Sequence, residues 1–150
     1  MRIAIDTNVL AYAEGVNGAS LKKTALEVVQ ALPPGSTFLP VQALGELFHV
    51  LVRKAGWKRG RAQTAILAWQ DSFPLIETSP AVLVAAMDLA AHHGLGIWDS
   101  VIFSAAAASG CRLLLSEDMQ NGFTWNGVTV VNPFLAVKHH LLGTLLRPIP

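Results

Sequence analysis

The sequence feature that most constrains the fold is the start of the chain, where a short apolar run ends abruptly in polar side chains. Ile3 to Ile5 are followed directly by Asp6, Thr7 and Asn8. A continuous apolar run of this kind is typical of a strand buried on both faces of a parallel sheet. Ligands of such sheets bind beyond the carboxyl ends of the strands, so we expect Asp6 to face a binding site. Asp is also a common helix N-cap, and Asp6 alone does not decide between the two roles.

The rest of the chain alternates strand and helix patterns, which predicts an α/β fold with a central parallel sheet. Further strands are predicted at 37–39, 73–76, 112–115 and 128–131, the second of them near an edge because it contains Pro74. Helices are predicted at 9–13, 21–32, 41–54, 61–70, 80–93, 101–108 and 133–142. Ser20, Ser79 and Asp99 are expected to cap three of them. No repeat or linker interrupts the 150 residues, so we expect a single domain over 1–150.

The composition and charge of the chain limit where the protein can reside and which partners it can bind. The net charge of +1 gives no global field, so a contact with nucleic acid would need a local patch. The lone Cys111 cannot form an internal disulfide, which favours a reducing, cytoplasmic setting, and its apolar neighbours indicate a buried thiol. No apolar run reaches the roughly 18 residues of a membrane span. With 52% hydrophobic and 14% charged residues, surplus apolar surface predicts a protein–protein interface, such as a homodimer.

Four acids share a similar placement along the chain. Asp6 and Asp118 follow the two clearest strands, Asp99 starts a helix of small residues, and Glu46 lies on an amphipathic helix, although it could simply face water there. Carboxylates brought together repel and raise each other's pKa, a cost that a divalent cation removes. An all-oxygen ligand set favours Mg²⁺ or Mn²⁺. A cation held in this way suits hydrolysis of a phosphodiester.

The four acids, taken with their neighbouring residues and their order along the chain, resemble the PIN-domain ribonucleases, in particular the VapC-like toxins of bacterial toxin–antitoxin pairs. The resemblance covers nearly the whole chain and rests on four short motifs: Asp6-Thr7-Asn8, Glu46-Leu47, Trp98-Asp99-Ser100 before Ala105-Ala106, and Ser116-Glu117-Asp118. It implies a three-layer α/β/α sandwich and a metal-dependent endoribonuclease site. By the same resemblance, Asp6, Glu46, Asp99 and Asp118 are the catalytic and metal-binding acids, with Asn8 and Ser116 as supporting polar residues.

The chain departs from the family pattern two positions after the last acid. Many members carry another acid there, whereas this chain has Gln120. An amide oxygen can bind a cation but adds no charge, so Gln120 would support only a weak second metal. The adjacent Glu117 is not expected to replace it, because neighbouring side chains point apart.

Other interpretations stay open at this point. The fold could belong to a PIN nuclease of RNA processing without an antitoxin, or to a non-catalytic RNA-binding protein. An aspartyl phosphatase is disfavoured because Asn8 stands where that chemistry uses a second Asp. The pair His92-His93 is expected to be a helix C-terminus rather than a metal site.

The positions of basic and apolar residues along the chain predict surfaces for RNA and for a partner protein. The basic residues expected to hold RNA are Arg53, Lys54, Lys58, Arg59 and Arg61, although a cationic turn is also a common solvated feature. An antitoxin peptide is expected against 21–32 and 41–52, presenting an Arg or Lys to the acids. The tail 141–150 is expected either to contact a partner or to pack on its own domain.

Overall fold

The computed structural model describes residues 1–146, and a six-stranded sheet forms its centre. The strands are β1 (Arg2–Ile5), β2 (Thr37–Pro40), β3 (Leu75–Ile76), β4 (Cys111–Leu115), β5 (Thr124–Trp125) and β6 (Val128–Val131). Their order across the sheet is β3-β2-β1-β4-β6-β5, and all neighbours are parallel except β5 and β6. Because β2 and β4 lie on opposite sides of β1, the topological switch point falls between β1 and β4, where α/β sheets bind ligands.

Seven helices cover the two faces of this sheet in the described part of the chain. They are α1 (Thr7–Ala13), α2 (Ala19–Ala31), α3 (Val41–Arg53), α4 (Arg59–Ser72), α5 (Pro80–His93), α6 (Ile97–Ala108) and α7 (His140–Leu145). Ile3 and Ile5 pack with residues of α1 to α4 and α7, whereas Ala4 between them packs with α5 and α6. This alternation follows from the two-residue period of a strand. The predicted three-layer α/β/α sandwich is confirmed, and the sheet is mostly rather than wholly parallel.

Two of the predicted helix caps were wrong. Gly18 rather than Ser20 is the N-cap of α2, and its φ of 104° is a conformation that favours glycine. Gly96 is the N-cap of α6, so Asp99 lies inside the first turn instead of at the cap. The N-terminal end of the helix dipole still favours a carboxylate there, and the Asp99 side chain need not bond its own backbone. The predicted cap of α5 is confirmed, since Ser79 accepts a hydrogen bond from the N–H of Val82.

The predicted last helix at 133–142 was also wrong. The Asn132 side chain accepts from the N–H of Phe134, and Lys138 donates to the carbonyls of Pro133 and Leu135. These local side-chain bonds form turns instead of a helix, and α7 begins only at His140. The strand β5 was not predicted, because two residues are too short to show a period.

The apolar segments proposed as partner surfaces contribute largely to the protein's own core. Val28 and Val29 of α2 are buried, as are the apolar residues Leu44, Leu47 and Leu51 of α3. Leu142 is buried as well, so residues 141–146 pack on their own domain, which was the second of the two alternatives predicted for the tail. The remaining tail, 147–150, lies outside the described residues. No helix within 1–146 is long and apolar enough to cross a membrane.

Two smaller predictions are also confirmed by the structure. Cys111 is buried, and burial raises the pKa of its thiol to about 11. His92 and His93 end α5, and Gly94 follows in the left-handed conformation that terminates helices.

Candidate active site

Asp6 takes both of the roles that its sequence position allows. It directly follows β1 and caps α1, accepting a bond of 2.7 Å from the N–H of Thr7 at Oδ1. Its Oδ2 accepts from the hydroxyl of Ser116 at 2.7 Å and from the amide of Asn8 at 3.1 Å. The residue is only 2% exposed, so these donors hold its carboxylate in one orientation.

The four predicted acids line one pocket of about 620 Å³ at the carboxyl edge of the sheet. Asp6 follows β1, Glu46 lies on α3, Asp99 on α6, and Asp118 in the segment after β4. Residues 40 to 112 positions away from Asp6 in the sequence therefore meet at the switch point of the sheet.

Glu46 is half-buried and lines this pocket, so the alternative in which it merely faces water does not hold. Its Oε2 accepts a hydrogen bond of 2.8 Å from the hydroxyl of Thr7. Thr7 also lines the pocket and connects α1 with α3. The carboxylate of Glu46 is thereby fixed relative to that of Asp6.

The pocket raises the pKa of three of its acids. Burial, with smaller contributions from the charges of Asp99 and Glu46, raises the pKa of Asp6 to about 7, although hydrogen bonds from Ser116 and Thr7 lower it. Burial also raises the pKa of Glu46, and the charges of Asp99 and Asp118 add to this. The pKa of Asp99 is raised by burial and by the charge of Asp118. A positive charge in the pocket would therefore relieve several unfavourable interactions at once.

Asn8 and Ser116 connect the ends of β1 and β4 beneath the acids. The Asn8 side-chain oxygen accepts from the N–H of Glu117 at 3.0 Å, and its amide lies 3.4 Å from the hydroxyl of Ser116. Ser116 Oγ in turn accepts from the N–H of Met119 at 3.3 Å. These bonds fix the backbone on both sides of Asp118, which itself is exposed.

Sequence reasoning missed two further polar residues that organise the site. Thr7 belongs to the first motif, but nothing in the sequence indicates its bond to Glu46. Tyr12 is 7% exposed, and its hydroxyl donates to Glu117 at 2.8 Å. Burial and the neighbouring Glu117 raise the pKa of Tyr12 to about 12. The contact holds the side chain of Glu117 at Tyr12, and Glu117 is not one of the residues that line the pocket.

The remaining predicted residues differ in whether they line the pocket. Gln120 is exposed and is not one of the residues that line it. Lys54 lines both the pocket and an adjoining groove of about 380 Å³. Arg61 lines that groove, with its guanidinium 3.6 Å from the ring centroid of Trp57. The other three predicted RNA contacts are exposed and line neither cavity; they are Arg53, Lys58 and Arg59.

The four carboxylates line the pocket but do not converge on one ion position. Within the described residues, no three His, Cys, Asp or Glu side chains form a cluster that could hold one ion as they are placed. Asp118 is exposed and Asp99 is half-buried, so these two side chains have room to turn inward, whereas Asp6 is fixed.

The family model described as PIN domain matches residues 3–120. This chain belongs to the PIN domain family. The matched range includes all four pocket acids, the strands β2 to β4, and β1 except for Arg2. No curated protein matches the chain.

Several solved structures share the fold of this PIN domain. VapC20 from Mycobacterium tuberculosis, a toxin described as cleaving the sarcin–ricin loop, is 20% identical with a TM-score of 0.64, covering 75% of this chain and 86% of its own. A toxin–antitoxin complex from Klebsiella pneumoniae is 20% identical with a TM-score of 0.66, covering 88% and 98%. VapBC2 from Rickettsia felis, bound to a promoter DNA fragment, is 18% identical with a TM-score of 0.56, covering 77% and 86%. The resemblance predicted from the motifs is thus confirmed.

Proposed function

We propose that this PIN domain is a metal-dependent endoribonuclease that acts as the toxin of a toxin–antitoxin pair. The observation that carries the proposal is the meeting of Asp6, Glu46, Asp99 and Asp118 in one pocket at the switch point of the sheet. Support for the biological role comes from the solved structures of similar fold, which include a cleaving toxin and toxin–antitoxin complexes.

The donor set of the pocket fits Mg²⁺ or Mn²⁺. All four candidate ligands are carboxylates, which hard divalent cations prefer. Asp6 lines the pocket and accepts three hydrogen bonds, which leaves acceptor capacity for a cation, since a carboxylate has about four lone-pair sites. The raised pKa values of Asp6, Glu46 and Asp99 indicate that the folded chain carries a cost that a cation would offset. We propose these three acids and Asp118 as its ligands.

The acids and the polar residues that orient them have separate roles in this proposal. A divalent cation, when bound, supplies the positive charge that offsets a phosphate and makes a water easier to deprotonate. Asp6 is held in a fixed orientation by Ser116, Asn8 and Thr7, and provides a rigid anchor. Thr7 orients Glu46, so that substrate and water would meet two carboxylates of set direction. Asn8 and Ser116 keep the segment that carries Asp118 against β1.

A cleavage assay tests this function. Purified protein should cut single-stranded RNA when Mg²⁺ or Mn²⁺ is present and should stop when the metal is chelated with EDTA. Asp6→Asn should be inactive while keeping its circular dichroism spectrum. Cleavage that persists in EDTA, or in Asp6→Asn, would contradict the assignment, as would a wild-type protein that cuts DNA but not RNA.

The antitoxin partner has a separate test. A small protein that covers the pocket should bind the toxin and suppress cleavage, and its encoding frame should neighbour that of this chain. An isolated gene whose product lacks toxicity on expression would favour a PIN nuclease of RNA processing.

We also propose that the chain forms a homodimer, since exposed apolar side chains remain on its surface, among them Leu83, Val84 and Met87 on α5. Light scattering at micromolar concentration decides this point. A particle of 16.0 kDa, the mass of one chain, would contradict it.

A further inference from the structure

The rim of the acidic pocket carries an exposed tryptophan. Trp98 directly precedes Asp99 in the first turn of α6, and both residues line the pocket. Its neighbours in the helix fix its position, because Val101 is fully buried and Ile97 packs against the core. Trp98 is nevertheless 55% exposed, although so large an apolar side chain is mostly covered in a folded protein.

The other large aromatic side chain of the pocket is not free to contact a ligand in this way. Tyr12 is 7% exposed, donates its hydroxyl to Glu117, and packs edge-on against Phe134. Trp98 has no aromatic partner among the described residues. The pocket therefore presents one open indole face beside its carboxylates.

We propose that Trp98 stacks on an unpaired nucleobase next to the phosphodiester that is cut, and thereby selects single-stranded or looped RNA. This inference rests on the proposed function. The four carboxylates carry more negative charge than one divalent cation offsets, so an uncharged contact adds affinity beside them without the repulsion that phosphates meet. An aromatic face provides it, because every nucleobase has a π-face that can stack. A base can stack on Trp98 only after it has left its RNA double helix, so base-paired RNA is excluded from this position.

The experiment combines a protein substitution with removal of a base from the substrate. The cleavage site in a single-stranded oligoribonucleotide of mixed sequence is mapped first, and abasic nucleotides are then placed on each side of it. For the wild-type protein, one of the abasic substitutions should lower kcat/KM about tenfold, the effect of removing one base–aromatic stack. Trp98→Ala should show the same loss on intact RNA and no further loss on the abasic RNA.

The controls separate stacking from a structural effect. On the abasic RNA, Trp98→Ala and the wild-type protein should be equally active, and Trp98→Phe should recover part of the activity on intact RNA. Leu67→Ala removes a similarly exposed apolar side chain, 51% exposed on α4 and outside the pocket, and should leave the cleavage of both RNAs unchanged.

Three results would overturn the inference. The first is an unchanged kcat/KM of Trp98→Ala on intact RNA. The second is an equal loss on intact and abasic RNA, which would indicate a structural role. The third is a change in oligomeric mass with no effect on cleavage, which would assign Trp98 to a protein contact. A wild-type protein that cuts no RNA with Mn²⁺ would instead overturn the proposed function, and this inference with it.

Discussion

The hydroxyl of Thr7 on α1 donates a hydrogen bond of 2.8 Å to Oε2 of Glu46 on α3. The main-chain N–H of the same residue donates to Oδ1 of Asp6 at 2.7 Å. One residue thus orients two carboxylates of the pocket, the first through its side chain and the second through its backbone. Since a side-chain substitution leaves the backbone bond in place, the two contributions can be separated.

Thr7→Val should therefore lower activity with little effect on the fold. The substitution keeps the shape of the side chain and removes the donor to Glu46. A hydrogen bond to a charged group contributes about 1.5–3 kcal/mol, so kcat/KM should fall by roughly tenfold to a hundredfold. Thr7→Ser keeps the hydroxyl and should retain most of the activity. Equal activity of the two variants would show that the bond to Glu46 does not matter, and matching melting temperatures would exclude unfolding as the cause.

Without divalent metal, the stability of the protein should fall as the pH rises from about 4 to about 7. The pKa of Asp6 is raised from 3.8 to about 7, so between these values the folded state binds more protons than the unfolded state. Unfolding then becomes easier with rising pH. At about 1.4 kcal/mol per pKa unit the effect approaches about 4 kcal/mol as an upper bound. Urea unfolding at pH 4 and pH 8 in EDTA measures it.

Asp6→Asn should remove most of this pH dependence. The variant loses the buried charge but disturbs the bonds from Ser116 and Thr7, so a net gain of roughly 2 kcal/mol at pH 8 is expected. The matched control is Asp71→Asn, which neutralises an exposed acid on α4 and should follow the wild-type curve. A variant less stable than wild type at pH 8 would show that Asp6 is mainly structural.

The fold was largely predictable because its strongest signals are local. Ile3 to Ile5 and Leu113 to Leu115 are continuous apolar runs, and such runs identify buried parallel strands. The errors came where a local side-chain bond replaced the expected structure, as with Asn132 and Phe134 near the C-terminus. Helix starts at Gly18 and Gly96 were missed because neither N-cap forms a side-chain hydrogen bond.

That the four acids lie around one pocket was predictable from the sequence, whereas the residues that orient them were not. The acids follow strands or lie on helix faces at one sheet edge, a placement that the sequence order reveals. The bonds of Thr7 to Glu46 and of Tyr12 to Glu117 span 39 and 105 positions, and no local pattern encodes such pairs. Of the predicted basic cluster, Lys54 and Arg61 line a cavity while Arg59 does not, and the contact of the cluster with RNA stays a prediction.

Mg²⁺ or Mn²⁺ should raise the melting temperature of the wild-type protein at pH 8. A ligand that binds only the folded state stabilises it, by about 2.7 kcal/mol at a hundred times its Kd. The effect should disappear in Asp6→Asn and persist in Asp71→Asn. It should also shrink at pH 5, because a protonated Asp6 competes with the cation. Thermal scans with and without EDTA check this, and an equal shift in Asp6→Asn would place the metal elsewhere.

Two cations at the groove should contribute more to RNA binding than two exposed ones nearby. Lys54 lines both the pocket and the groove, and Arg61 is held against Trp57, which orders its guanidinium before RNA arrives.

In an Asp6→Asn background that binds without cutting, the double change Lys54→Gln and Arg61→Gln should weaken the affinity for a single-stranded oligoribonucleotide. It should also lower the slope of log K against log salt by about 1.4, or about 0.7 for each phosphate that is no longer neutralised. The double change Arg53→Gln and Arg59→Gln removes the same charge from surfaces outside both cavities and should leave the slope nearly unchanged. Fluorescence anisotropy over a series of salt concentrations measures both, and equal slopes for the two double variants would contradict a specific role for the groove.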